Sequence, residues 1–285
     1  ANSYRNEANL ELQYKLNSNK NYICNTFRSS FHWNHSGAET LLGGNAVKQY
    51  VRPHKTFVGD DLNFLHNINK HSSYKFQVSS SYTYLPSLLQ LLDNQTQHLD
   101  VTISKLNAST TFRHKLWGMK IAYDAQLNYK KEEGKLNFTT SEYMQETQAL
   151  LTPSISYSNA SGLSLSASAS MNLSRYDLTH DGRTRFHIMP SAGVQYQLNA
   201  TSDIQAGYRL SYSVMPFHTI TSLPYYASYS SQIGGNGKWN DLATHVGYAS
   251  FKYGDPVIGL FFNMNGNYSK TLHQKLYDSW LTNDV

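Results

Sequence analysis

The sequence predicts an all-β chain: an antiparallel barrel that crosses a membrane with its strands. Three observations predict it. Apolar residues recur at every second position over long runs, one face of those runs is free of charge, and charged residues make up only 15% of the chain, against about 25% in soluble domains. A period of two is the strand period, because successive side chains point to opposite sides of the backbone. In "LSLSASASMNLSRYD" (163–177), Leu163, Leu165, Ala167, Ala169, Met171 and Leu173 share one face. Ser164, Ser166, Ser168, Ser170, Asn172 and Ser174 share the other. At about 3.3 Å per residue, twelve such residues span roughly 40 Å, well beyond an ordinary strand.

The elements follow in chain order. "NEANLELQYKL" sets Ala8, Leu10, Leu12, Tyr14 and Leu16 against Glu7, Asn9, Glu11, Gln13 and Lys15. Less regular alternation marks strands near 21–33, 48–66, 73–85 and 98–113. "WGMKIAYDAQLNY" aligns Trp117, Met119, Ile121, Tyr123, Ala125, Leu127 and Tyr129. A strand near 147–158 precedes the run from Leu163. "RFHIMPSAGVQYQLN" and "DIQAGYRLSYS" align Phe186, Ile188, Val194, Tyr196 and Leu198, then Ile204, Ala206, Tyr208, Leu210 and Tyr212. A strand near 240–253 and "VIGLFFNMNGNY" close the set, for about twelve strands. Pro53, Pro153 and Pro190 fall within these runs, and proline belongs at bulges or ladder ends because it lacks an N–H.

The connections alternate in length. Short ones are expected near 17–20, 67–72, 114–115, 159–161, 200–201 and 254–256, and longer ones near 34–47, 86–97, 131–146, 177–183 and 215–239. Outer-membrane barrels combine short periplasmic turns, long external loops, an apolar lipid-facing side and a polar lumen. Lipid offers backbone groups no water, so only a helix or a closed barrel crosses it. The Leu163–Leu173 face is therefore expected to meet lipid and the serine face the lumen. Tyr129, Tyr157, Tyr196 and Tyr212, near strand ends, are expected in aromatic girdles. Soluble sandwiches and solenoids also alternate, but with shorter strands and lysines and glutamates on the solvent face.

Composition narrows the function classes. Net charge is +5, with no basic run longer than two residues, which argues against nucleic acid. Cys24 is the single cysteine, so there is no internal disulfide. No apolar run approaches 18 residues and no signal peptide begins at Ala1. His32 and His35, three apart, point to opposite faces of a strand, so no metal or cofactor site is expected. No Gly-x-Ser-x-Gly nucleophile motif occurs, and "GGNG" at 234–237 lacks the lysine of a phosphate loop.

The stretch Ile188–Trp239, "IMPSAGVQYQLNATSDIQAGYRLSYSVMPFHTITSLPYYASYSSQIGGNGKW", resembles the barrel of TonB-dependent outer-membrane receptors of the Bacteroidetes type. The resembling order is a Pro-Ser strand, a short polar turn, a Tyr-rich strand and an external loop with a Tyr-Tyr cluster. "YTYLPSLLQLL" (82–92) and "IAYDAQLNY" (121–129) resemble earlier parts of the same barrels. The resemblance implies a non-enzymatic receptor in the outer membrane of a Gram-negative bacterium, taking up a glycan, peptide or metal chelate. Such receptors place a plug domain inside a barrel of about 22 strands. Residues 1–285 read instead as a single barrel domain or barrel segment with no plug, and are expected to be a piece of a longer receptor. The implied partners are outer-membrane lipid, the TonB energy-coupling complex acting through a plug outside this chain, and a surface lipoprotein.

The 215–239 connection carries the candidate ligand contacts. Tyr225, Tyr226, Tyr229 and Trp239 stand among Ser, Gly and Asn, a composition suited to stacking on sugars or gripping peptides; the plainer reading is that they pack the loop or join the girdle. Arg175 and Arg183, with Arg185 nearby, suit acidic ligand groups or lipopolysaccharide phosphates, or are simply solvated. The alternative function is a self-contained small barrel, serving as a channel, adhesin or structural surface protein, or as an outer-membrane lipase.

Overall fold

The computed structural model describes residues 2–42, 45–90, 96–137, 140–179, 181–214, 220, 225–228, 231–233 and 241–272. Twelve strands form one antiparallel sheet in the order β1-β2-β3-β4-β5-β6-β7-β8-β9-β10-β13-β14, and β11 with β12 forms a separate hairpin. In chain order they are β1 (Asn2–Asn17), β2 (Asn21–Leu42), β3 (Asn45–Asn69), β4 (Ser72–Gln90), β5 (Thr96–Leu116), β6 (Met119–Leu136) and β7 (Thr140–Ser158). There follow β8 (Leu163–Leu178), β9 (Gly182–Asn199), β10 (Ser202–Val214), β11 (Tyr225–Ser228), β12 (Ser231–Ile233), β13 (Asp241–Asp255) and β14 (Leu260–Leu272). Each sheet neighbour is also a sequence neighbour, apart from the inserted β11–β12 hairpin.

The register keeps one face apolar across the sheet. Tyr14, Asn25, Leu62, Val78, Ala108, Leu127, Ala149, Leu173 and Phe186 are successive cross-strand partners, and directly opposed residues share a face. Leu127 on this row is 62% exposed and Leu173 51%, while Asn172 and Ser174 on the opposite face are 5% and 0% exposed. Leucines outside and buried hydroxyls inside invert the order of a water-soluble protein. On β6 the apolar row runs from Met119 to Tyr129, then gives way to Lys131 and Glu133. Ten residues tilted by about 40° cover about 25 Å, the height of the lipid-facing band of an outer-membrane barrel.

The two ends of the sheet differ, with one correction to the expected loops. At one end the turns are short: 18–20, 70–71, 117–118, 159–162, 200–201 and 256–259. Trp117 (φ 47°) and Gly118 (φ 78°) form a two-residue turn with both φ positive, the hairpin geometry whose twist matches its strands. At the other end, 34–47, 86–97, 131–146 and 177–183 are not long loops. β2 runs to Leu42 before β3 starts at Asn45, β4 to Gln90, β6 to Leu136 and β8 to Leu178. Once a hairpin is in register, each further pair satisfies two backbone groups, so the ladders continue past the apolar band. In the β6 extension the side chains form ion pairs, Lys130–Glu132 and Lys131–Glu133.

The prolines mark ladder defects. β7 and β8 are unpaired between Leu151↔Met171 and Ser154↔Ser168, at Pro153. β2 and β3 are likewise unpaired between Trp33↔His54 and Ser36↔Val51, at Pro53, with the same register on either side. Among the described residues β1 pairs with β2 alone and β14 with β13 alone, so the sheet is open.

Candidate functional site: the lumenal wall and its mouth

The third proline shapes the mouth. β9 and β10 are paired from Ser202↔Asn199 to Arg209↔Ser191, and the ladder stops one residue short of Pro190, which has no N–H to give. β10 keeps β13 as its partner up to Val214↔Asp241, so β9 and β10 part at the end away from the short turns. Side chains fill the parting. The His187 and Tyr212 rings stack at 4.0 Å, and Asp241 Oδ2 lies 3.2 Å from Arg185 Nε and 3.7 Å from His187 Nε2. His187 Nδ1 is buried without a hydrogen bond.

Beside this group lies the one cluster of buried apolar side chains among the described residues: Met144, Tyr176 and Ile220, with Leu178 and Leu242 against it. Met144 and Tyr176 point inward from β7 and β8, and Ile220 comes from the β10–β13 connection. Ile220 is therefore packed against the inner wall of β7 and β8. Gln148 Nε2 donates to the Tyr176 hydroxyl at 3.4 Å, and burial pushes the Tyr176 phenol up to about 12. Burial also raises the Glu146 carboxyl, against the opposing pull of Lys130. Both groups lie beyond the apolar band, opposed to each other one row past Tyr129 and its partner Thr147.

The predicted site residues separate. Tyr225 and Tyr226 start β11, opposite Ile233 and Gln232 of β12. Tyr229 and Trp239 lie outside the described residues. Arg175 and Arg183 are on neighbouring strands, but their cross-strand partners are Thr184 and Tyr176 respectively, so they face opposite sides. Arg175 binds Asp177 at 3.0 Å and Arg183 binds Asp181 at 3.0 Å. Sequence reasoning missed these partners although they stand two residues away, the spacing that shares a strand face. The His187, Tyr212 and Asp241 grouping carried no sequence signal, because it forms where the register ends.

Below the mouth the inner wall is a hydrogen-bonding surface. Arg28 bridges Glu11 at 3.4 Å and Asp61 at 2.9 Å across three strands, and Ser168 meets Ser191 at 2.7 Å. Such a wall offers hydrogen-bond donors and acceptors; it holds no group of three His, Cys, Asp or Glu suited to a metal among the described residues. A Ser–His contact does occur, Ser72 Oγ to His114 Nδ1 at 2.8 Å, but Ser72 is buried.

No family model matches the chain and no curated protein does. Solved structures do. The ferric-catecholate import receptor Fiu of E. coli K12 superposes with a TM-score of 0.61 at 9% identity over 88% of this chain and 49% of its own. The ferripyoverdine receptor of the Pseudomonas aeruginosa outer membrane gives 0.63 at 12% identity, over 94% of this chain and 42% of its own. BauA, the ferric preacinetobactin receptor of Acinetobacter baumannii, gives 0.60 at 8% identity, over 94% and 52%. The chain thus spans about half the length of these structures. With its largely apolar outer face, polar inner face and alternating short turns and long hairpins, the chain has the all-β transmembrane barrel fold of TonB-dependent outer-membrane receptors.

Proposed function

We propose that this chain is the barrel part of an outer-membrane receptor that imports a metal chelate, driven by TonB through a plug carried outside these residues. The observation that carries the reading is the open twelve-stranded sheet with a lipid-facing and a lumenal side. An open edge inside lipid leaves a row of backbone groups unsatisfied, so further strands close the wall. The neighbours named above are receptors for ferric chelates, and a copper transporter, OprC, gives a TM-score of 0.55; this favours a metal chelate over a glycan or peptide. On this reading the short turns face the periplasm, and the hairpin ends with the β10–β13 connection face outward. Tyr225, Tyr226, Tyr229 and Trp239 then contact ligand at the mouth, alone or with a surface lipoprotein. Arg175 and Arg183, neutralised by Asp177 and Asp181, pin the rim and bind a ligand anion only by exchanging those partners.

The test is uptake of radio-iron presented as catecholate, hydroxamate or mixed chelates, in the encoding organism with and without the gene. The expected result is loss of uptake of one chelate class, and loss of all gene-dependent uptake when the proton gradient is collapsed. Unchanged uptake of every chelate, or a mature protein with a mass near 32.4 kDa, would remove the receptor reading.

A further inference from the structure

Lys115 is the direct cross-strand partner of Lys120 at the base of the β5–β6 hairpin. Both face the lumen, because their neighbours Leu116 and Met119 continue the outward row. Like charges directly opposite one another destabilise an antiparallel pair, so the arrangement calls for a cause. Arg113, two residues before Lys115, shares their face, and Lys70 and His71 of the β3–β4 turn border the same hollow. Its volume is about 470 Å³, within the range of small-molecule sites. The one carboxylate lining it, Asp124, accepts a hydrogen bond from the Thr111 hydroxyl. Every ion pair among the described residues lies elsewhere and engages none of Lys70, Arg113, Lys115 or Lys120.

We propose that this hollow, at the short-turn end of the lumen, is a binding site for a small multivalent anion bearing phosphate or carboxylate groups, held between Arg113, Lys115 and Lys120. The guanidinium offers a planar fork for two oxygens of one such group, and the lysines act as point charges on either side. A concave wall of net positive charge, backed by lipid of low dielectric, concentrates the field at the site. The bound anion turns the repulsion between Lys115 and Lys120 into a shared attraction.

The probe is inorganic pyrophosphate, titrated calorimetrically into the whole protein purified from membranes in detergent, with the heat-dependent gel shift of a folded barrel as the folding check. The expected result is saturable binding that weakens as salt rises. It should fall about tenfold or more in the Arg113→Gln, Lys120→Gln double variant. Lys105→Gln should bind like the wild type: Lys105 opposes Lys130 on the same lumenal face but ten residues further along β5, outside the hollow. Lys115→Gln gives an opposed pair of signals: a higher urea midpoint without ligand, because the repulsion is gone, together with weaker pyrophosphate binding. Absence of binding, equal affinity in the double variant, or an equal loss in Lys105→Gln would each overturn the proposal.

Discussion

Leu150 and Leu151 are chemically identical neighbours on β7, and the register assigns them to opposite sides of the wall. Leu151 opposes Ala125 and Met171 on the outer face and is 45% exposed, whereas Leu150 opposes Gln126 and Asn172 on the inner face. Replacing each in turn with arginine therefore reads the solvent on each side. On β7 the outer row extends from Thr147 to Tyr157, so Leu151 lies near mid-band, where an arginine facing lipid costs about 2–4 kcal/mol. That is roughly a 30- to 1,000-fold loss in the folding equilibrium. An arginine at 150 enters a wet wall of amides and should cost about 1 kcal/mol or less. The assay is urea titration of the heat-shifted, folded species in phosphatidylcholine vesicles, run on the whole protein carrying Leu151→Arg or Leu150→Arg. Equal costs, or a larger cost at 150, would refute the assignment of faces.

Three further predictions concern the mouth and the turns. Ile220→Ser should cost about 2–3 kcal/mol of local stability, since it removes a fully buried side chain from the Met144 and Tyr176 cluster; limited proteolysis in the β10–β13 connection should accelerate, and an unchanged cleavage rate would deny the anchor. Because Glu146 has a raised carboxyl pKa in the folded protein, its contribution is present below its ordinary value of about 4.5 and is lost as pH rises through the folded value. The urea midpoint of the wild type should therefore match that of Glu146→Gln at low pH and drop below it as pH rises; the reverse order would show that Lys130 outweighs burial. Gly162→Val should destabilise the β7–β8 turn by about 2 kcal/mol or more, because Gly162 has φ +83° and an added Cβ would sit 2.7 Å from Gln197 Cβ. A midpoint unchanged from wild type would contradict that.

The strand faces were legible in the sequence because a period of two survives any error in strand ends. Leu163 to Leu173 are outward and Ser164 to Ser174 inward wherever the strand starts. The prolines were legible as defects, since a missing N–H weakens the ladder on the side to which it would donate, while the other side continues, as at Ala169↔Pro190 and Tyr123↔Pro153. Hairpin length was not legible: Lys130–Glu133 reads as a loop by charge, yet outside lipid charges sit on either face of a continuing ladder. The mouth was not legible either. His187 meets Tyr212 past the end of the β9–β10 ladder, and Ile220 meets Met144 and Tyr176 from a connection outside the sheet; periodicity carries no information about either. The Lys115–Lys120 opposition lay between the two cases: it follows at once from the two-residue turn at Trp117–Gly118, once the turn is known to be that short.

If these strands divide lipid from a wet lumen, a cysteine scan of β8 reads that division residue by residue. Cys24 is the single cysteine, so Cys24→Ser gives a clean background for single substitutions from 163 to 174, each probed in membranes with a charged, water-soluble maleimide. The expected reactivity has a period of two, with positions 164, 166, 168 and 170 labelled, 163, 165, 167, 169, 171 and 173 protected, and the packed positions 172 and 174 slow. Uniform labelling, or labelling of the leucine face, would contradict it.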